Sequence, residues 1–390
     1  MKVLWLASWY PDPYEPSNGD FIRRHAQAVS KYIPVDVIHL VQVGKDTQTK
    51  DECIYTESGN LREWVYSFHF KKWGVSWVDK LRYHIQYRKQ YKKILLEYVG
   101  AHGKPSLIHV HVPMKAGLVA RSIASAWKIP YIVSEQASHY EKDAPDHFLA
   151  RSFFFRQNTA KIFKDAAFVT NVSATIGKTL KDTFHLKKVE TVHNLADTDF
   201  FNFKPGLAPT TFRWIHVSSL HQQKNVEEII KAFKQLDSVN KNWELVIVGP
   251  DPLSLQQLVN EFHLSHKISF TGELPYHEVA EQMQRSSAFV LFSNHENFPC
   301  VIPEALYCGL PVVSSLAGGV AEAIDESNGI LVRKGDINGL TTVLNRLMNQ
   351  YKNYDRLKIS SEAASRYSAE QIGKQFVEIY EGIERGQMTS

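Results

Sequence analysis

Residues 295–313 read HENFPCVIPEALYCGLPVV, and the way this stretch is parsed decides the fold. Two carboxylates, Glu296 and Glu304, flank seven uncharged residues, two of them prolines. The apolar run SAFVLFS (287–293) precedes it and LPVVSS (310–315) closes it, and both read as buried strands. Pro299 suits a first helical turn, so a short helix is expected from 299 or 300. It should end before Gly309, a C′ glycine, with Pro311 opening the next strand. Glu304 then lies on the helix and Glu296 in the loop before it. The amides of Phe298, Cys300 and Val301 at the helix start lack intrahelical acceptors and suit a phosphate. Carboxylates there would repel a phosphate unless they bind neutral hydroxyls close by, as a sugar or ribose offers. The competing reading is that both glutamates are helix-start charges favoured by the dipole.

The same strand–helix–strand pattern extends in both directions. Strands are expected at 2–8, 35–41, 106–111, 130–135 and 166–172, and a second series at 213–219, 243–249, 267–272, 287–293 and 310–315. Helical stretches separate most of them, which implies α/β architecture with parallel sheets covered on both faces. Two series imply two facing Rossmann-like domains, with the break in the Pro- and Gly-containing NFKPGLAPTTF (202–212). The expected limits are 1–200, 201–367, and a closing amphipathic helix within 368–390. Such sheets bind ligands at the carboxyl ends of their strands, so the cleft between the domains is the expected site.

Composition narrows the function. The chain has 390 residues, 44% hydrophobic and 22% charged, as a globular protein does. It contains no apolar run of spanning length, and its N-terminus lacks a signal-peptide h-region, so a cytoplasmic location is expected. Three cysteines, Cys53, Cys300 and Cys308, have no metal spacing and are expected to be reduced thiols. His109 and His111 share one face of a strand, but two ligands are too few for a metal. The first strand is followed by WYPDPYEPSNGDF, without the G-x-G-x-x-G of a nicotinamide enzyme. Residues 1–190 carry 28 Lys and Arg against 18 Asp and Glu, while the remainder is acidic, which favours an anionic partner for the first half.

ENFPCVIPEALYCGLPVVSS resembles the E-x7-E segment of the family 4 retaining glycosyltransferases, which have the GT-B fold. AGGVAEAI (317–324) resembles the family's G-G-x-x-E element. VETVHNLADTDFF (189–201) resembles the interdomain segment, where Asn194 and Asp197 match while His193 and Leu195 depart. SLIHVHVPMKAGLVARSIA resembles the D-x-I-H-x-H approach to a helix, and 368–384 the C-terminal helix that crosses back to the N-terminal domain.

The resemblance implies a sugar transfer from a nucleotide-diphospho-sugar to a glycan or lipid-linked acceptor, in polysaccharide or lipopolysaccharide synthesis. No cofactor is expected and no metal. Glu304 would bind the ribose, Glu296 would contact the donor sugar, and the amides of Phe298, Cys300 and Val301 would hold the diphosphate. Lys224 matches the family's cation for the leaving group, but Ser219 stands where an Arg is usual. Arg23, Arg24 or another basic side chain would have to substitute. Gly19 and Gly249 are assigned to the donor, with Asn18-Gly19 read as a turn and Asp20 as the cap of a helix over 21–32. Asn18, Arg23, His111 and Gln136 are assigned to the acceptor side. Gln136 stands where relatives often have His, and His139 is the candidate substitute with a catalytic role.

Residues 61–98 hold nine Lys and Arg and ten aromatics. On a helix Tyr83, Tyr87, Tyr91, Ile94 and Tyr98 form one stripe. This fits either docking on an anionic membrane surface or a helix packed on its sheet with a basic outer face. No nucleic-acid motif accompanies the charge, so nucleic acid is not an expected partner. A catalytically silent GT-B protein that binds a nucleotide or glycan, or supports a partner enzyme, is the alternative, resting on Ser219 and Gln136.

Overall fold

The computed structural model describes residues 1–43, 52–141, 144, 146–197, 199–206, 211–250 and 253–388. The chain divides into two compact units. The first comprises 1–172, 177–192 and 372–390, and the second 173–176 and 193–371. The long segment of the second unit starts at His193, ahead of the 202–212 stretch, of which 207–210 lie outside the described residues.

In chain order the first unit holds β1 (Val3–Ala7), α1 (Asp20–Ser30), β2 (Val35–Val43), β3 (Cys53–Ser58), β4 (Leu61–His69), α2 (Ser76–His102) and β5 (Leu107–His111). There follow α3 (Ala116–Trp127), β6 (Tyr131–Glu135), α4 (Phe153–Asp165), β7 (Phe168–Asn171), α5 (Ala174–Phe184), whose residues up to Ile176 belong to the second unit, and β8 (Glu190–Thr191). Among the described residues its sheet has eight strands in the order β3-β4-β2-β1-β5-β6-β7-β8. All pairs are parallel except β3 with β4. β1, VLWLA, is buried at every position, as a central strand covered on both faces must be.

The hairpin β3–β4 was not legible as strands, because β3 is exposed at all six residues and lacks a buried face. Its second strand, β4, overlaps the 61–98 segment, which is therefore strand at 61–69 and helix only from Ser76. On α2, Tyr87, Tyr91, Ile94, Leu95 and Tyr98 are buried. Tyr91 donates to the Ile38 carbonyl (3.1 Å), and the Tyr98 hydroxyl donates to Asp36, which Arg62 clamps bidentately at 2.7 and 2.8 Å. The tyrosine stripe is therefore core: these hydroxyls satisfy polar groups under the sheet, and the packed-helix reading holds for it.

The second unit holds β9 (Phe212–Val217), α6 (Val226–Val239), β10 (Trp243–Val248), α7 (Leu253–Glu261), β11 (Ile268–Phe270), α8 (Tyr276–Gln284) and β12 (Ala288–Leu291). It continues with α9 (Val301–Tyr307), β13 (Val312–Ser315), β14 (Gly329–Val332), α10 (Ile337–Gln350), α11 (Arg356–Tyr367) and α12 (Ala369–Glu384), whose residues from Ile372 belong to the first unit. Among the described residues its parallel sheet runs β11-β10-β9-β12-β13-β14. Trp214, Phe233 and Trp243 fill the core on one face. The chain leaves β9 toward β10 on one side and returns to β12 on the other. The loops after β9 and β12 therefore diverge at a switch point, where this architecture opens a crevice.

Candidate functional site

The loop after β9 (218–225) is held in a strained shape. Leu220 and Asn225, neither of them glycine, both have φ of 51°, in the left-handed region. Ser218 supports it: its Oγ accepts from Leu220 N (3.1 Å) and lies 2.8 Å from His216 Nε2, while His216 Nδ1 lies 2.9 Å from the Val290 carbonyl. The loop after β12 is laced to it. Asn225 and Asn294 exchange side-chain amide hydrogen bonds of 2.6 and 3.0 Å, and Gln223 Nε2 donates to the His295 carbonyl (2.6 Å). The result is that Lys224 Nζ donates to Glu296 Oε1 at 2.6 Å, with both side chains mostly buried.

Two residues 72 positions apart, each singled out from sequence, thus meet at the switch point of the second sheet. Ser219 lies exposed in the same loop. Gly249, at the end of β10, has φ 149°, and a Cβ there would lie 2.1 Å from the Ser218 carbonyl oxygen. The glycine is what lets the ends of β9 and β10 approach.

The helix read from 299 or 300 is α9, with Cys300 at its N-cap, Val301 first, and Glu304 buried at 2% exposure. Phe298 is buried beside it. Its ring lies 4.3 Å from that of His193, and its carbonyl accepts from Asn194 Nδ2 (2.7 Å). The preceding loop is held at Asn297, whose carbonyl accepts from Gly319 N (2.8 Å). Gly319 tolerates no Cβ there, since one would sit 2.4 Å from that carbonyl oxygen.

In the first unit the geometry revises several assignments. Gly19, φ 65°, is the residue before α1, and Asp20 is not a cap. Asp20 is the first helical residue and receives Arg24 Nε and Nη2 at 3.0 and 2.8 Å. Arg23 grips the buried Glu63 with Nε and Nη2 (2.8 and 3.0 Å), which also receives the Tyr10 hydroxyl (2.7 Å). Arg23 and Arg24 are thus each paired with a carboxylate of their own unit. A Cβ on Gly19 would lie 2.6 Å from Trp9 C, so the turn needs glycine to pack on the end of β1.

His111 is fully buried with its ring 4.0 Å from those of Trp5 and His109, so it presents no face to a ligand from solvent. His109 spends both nitrogens on hydroxyls, Tyr380 (2.6 Å) and Ser134 (2.7 Å). Gln136 is buried, its backbone N–H donating to Glu135 Oε1 (2.8 Å). Asn18 and His139 line a polar cavity of about 480 Å³ at the carboxyl ends of β1, β2, β5 and β6. Its wall includes Asp12 and His39, which sequence reading passed over. The available signal was a carboxylate between two prolines after β1, and a histidine flanked by apolar residues in β2.

Burial pushes His139 and His216 down to about 4, and it holds His109 and His111 well below the ordinary imidazole range. Between pH 6.5 and 4.5 these four rings stay neutral in the folded chain while the unfolded chain protonates them. The unfolded state then binds more protons, and stability falls as pH drops through that window. Glu135 acts in the opposite sense. Burial raises its carboxyl to about 7, so the folded chain keeps a proton that the unfolded chain has lost above about 4.5. Four rings outweigh one carboxyl, so urea midpoints are expected to fall from pH 6.5 to 4.5. A midpoint that rises or stays level over that range would contradict this set of neutral buried rings.

The family model "Glycosyltransferase Family 4" matches residues 53–200, and "Glycosyl transferases group 1" matches 197–364. The Bacillus subtilis (strain 168) glycosyltransferase TuaC, assigned to teichuronic acid biosynthesis, is 23% identical over 98% of this chain and 94% of its own. The N-acetyl-alpha-D-glucosaminyl L-malate synthase of Bacillus anthracis is 27% identical over 51% of this chain, which spans about half, 55%, of that relative. Among solved structures, Anabaena HepE in complex with UDP superposes with a TM-score of 0.71 at 18% identity, covering 98% of this chain and all of that one. That likeness shows the two-domain GT-B fold. With one family model on each unit and relatives of the same kind along its length, the chain belongs to the family 4 glycosyltransferases.

Proposed function

We propose that the chain transfers a glycosyl group, with retention of configuration, from a nucleotide-diphospho-sugar to a hydroxyl of a glycan or lipid-linked acceptor. The reading places it in cell-surface polysaccharide or lipopolysaccharide synthesis, on the cytoplasmic side of a membrane whose anionic surface the basic first unit meets. The observation that carries it is the Lys224–Glu296 pair at the switch point of the second sheet. A lysine held there can neutralise a departing diphosphate, and the carboxylate that fixes it can also accept from a sugar hydroxyl. Glu304 is assigned to the ribose, and the amides of Phe298, Cys300 and Val301 to the diphosphate.

In the transfer the acceptor oxygen bonds to the anomeric carbon while the bond from that carbon to the diphosphate oxygen breaks. The acceptor proton passes to the departing diphosphate, and a nucleoside diphosphate is released. No metal is needed if Lys224 supplies the positive charge, so transfer is expected to survive EDTA. HepE was solved with UDP, which makes uridine donors the first to try. The protein should be incubated with nucleotide sugars and membrane lipid extract, following nucleoside diphosphate release and the anomeric configuration of product. Release with a retained product supports the proposal. Binding without turnover across the panel would instead support the silent reading, which rests on Ser219 and Gln136.

A further inference from the structure

The polar cavity of the first unit adjoins a second one of about 640 Å³. The two share six wall residues: Gln42, Tyr83, Met114, Lys115, Arg151 and Phe155. The first cavity lies at the switch point of its sheet, between the loops after β1 and β5. Its deep end carries two buried, unsatisfied acceptors. His39 Nδ1 lies 3.0 Å from the Ala7 carbonyl, which fixes Nδ1 as the protonated nitrogen and leaves a lone pair on Nε2. Asp12 Oδ1 accepts from Tyr14 N and Glu15 N, but its Oδ2 accepts nothing among the described residues. His39 Nε2 and Asp12 Oδ2 are 3.9 Å apart, too far to bond each other, and each side chain is more than nine-tenths buried. His139 Nε2 in the same wall is also buried without a partner. Two adjacent acceptors in need of two donors match neighbouring hydroxyls of a sugar ring.

The second cavity is different in kind. Phe70, Phe154 and Phe155 line it with Tyr83 and Met114. It opens beside an apolar surface that sequence could not separate from the core stripe. Trp77, Leu81 and Ile85 follow one another at four-residue spacing on α2, on a different stripe from Tyr87 and Tyr91, and are 71%, 55% and 59% exposed. Phe154 packs 5.7 Å from His84, and its neighbour Phe153 is 70% exposed. Lys71, Lys72 and Lys80 are exposed around this patch. Where the polar and apolar cavities meet stand two cations, Lys115 and Arg151. Arg151 pairs with Asp146 at 3.3 Å, whereas Lys115 has no carboxylate partner among the described residues. Lys115 sits at φ 75°, a strained backbone for a non-glycine residue, in a loop pinned by Ser8, whose Oγ lies 2.7 Å from the Val112 carbonyl.

We infer that these cavities form one bipartite site for an amphiphilic acceptor: a sugar held by Asp12, His39 and His139, an anionic phosphate linkage at Lys115 and Arg151, and a hydrocarbon chain running past Phe154 toward the bilayer. The order of chemistries along the site is the argument. The Asp12 carboxylate at the deep end repels a phosphate and favours neutral hydroxyls. The cations come where head and chain join. The apolar groove ends at an exposed aromatic patch rimmed by lysines, as an anionic lipid surface would require. The inference rests on the transferase reading and names its acceptor class.

The test is isothermal titration of the full chain with farnesyl phosphoryl glucose, below its micelle concentration, against glucose 1-phosphate and farnesyl phosphate. The intact probe is expected to bind at least about tenfold more tightly than either part, since chain burial and hydroxyl bonding act together. Asp12→Asn keeps the turn that Oδ1 holds and places a donor where Oδ2 accepted. It should erase the advantage over farnesyl phosphate and leave that over glucose 1-phosphate. Phe154→Glu, at a half-exposed position, should do the converse. Equal binding of the three ligands by wild type would overturn the inference, as would both variants losing the same advantage. The transferase reading fails separately, on the absence of nucleoside diphosphate release from the donor panel.

Discussion

Lys224→Met is expected to lower the transfer rate by about 10²- to 10³-fold, the usual loss when one preorganised charge is removed from a developing anion. Lys224 meets the buried Glu296 at 2.6 Å, so the substitution also strands a carboxylate that is 5% exposed. Breaking a fully buried pair costs about 3 to 5 kcal/mol, and this one should cost less because the lysine side chain keeps 18% of its surface. Stability and catalysis must therefore be read apart. The double variant Lys224→Met/Glu296→Gln removes the stranded charge and should recover most of the melting temperature. It should not recover the rate. If rate returned together with stability, the pair would be a structural ion pair and the assignment of Lys224 to the leaving group would be wrong. Glu304→Ala offers an independent reading of the same site, since a ribose contact would show in KM for the nucleotide sugar.

Gly249→Ala should be among the most destabilising single substitutions in the second unit. The added Cβ would sit 2.1 Å from the Ser218 carbonyl oxygen, and φ of 149° is itself unfavourable for any residue with a Cβ. Backbone strain and overpacking each cost about 1 to 3 kcal/mol, and here both apply. The obstructing atom is backbone at the end of β9, so relief would move the loop that carries Ser219 and Lys224. Thermal unfolding should show a transition lowered by about 10 °C, taking about 2 to 4 °C per kcal/mol for a unit of this size. Gly335→Ala is the control: its φ of 73° carries strain, but a Cβ there meets nothing within 4 Å. Similar losses in both would mean that the close approach of β9 and β10 contributes little.

Much of this molecule can be read locally. The strand of 287–293, the proline-opened helix and the strand of 310–315 appear as β12, α9 and β13, displaced by a residue or two at their ends. That legibility has a physical source: a parallel strand buried on both faces must be continuously apolar, and proline and glycine mark where a helix can start and stop. β3 and β14 escaped because neither is such a run. β3 is an exposed antiparallel edge, and β14, GILV, is four residues beginning in glycine.

The functional residues divide along the same line. The types and positions of Glu296, Glu304 and Lys224 were determined by the sequence alone, together with the missing cation at Ser219. What only the tertiary structure decided is who meets whom. It set Lys224 on Glu296, spent Arg23 and Arg24 on Glu63 and Asp20, sank His111 into the core, and left Asp12 and His39 facing each other without donors. It also separated two stripes of α2 that look alike in sequence, burying Tyr87 and Tyr91 and exposing Trp77 and Leu81. Periodicity tells that a helix has an apolar stripe, but which side finds a sheet depends on strands pairing across dozens of intervening residues, and that pairing is encoded in no single stretch.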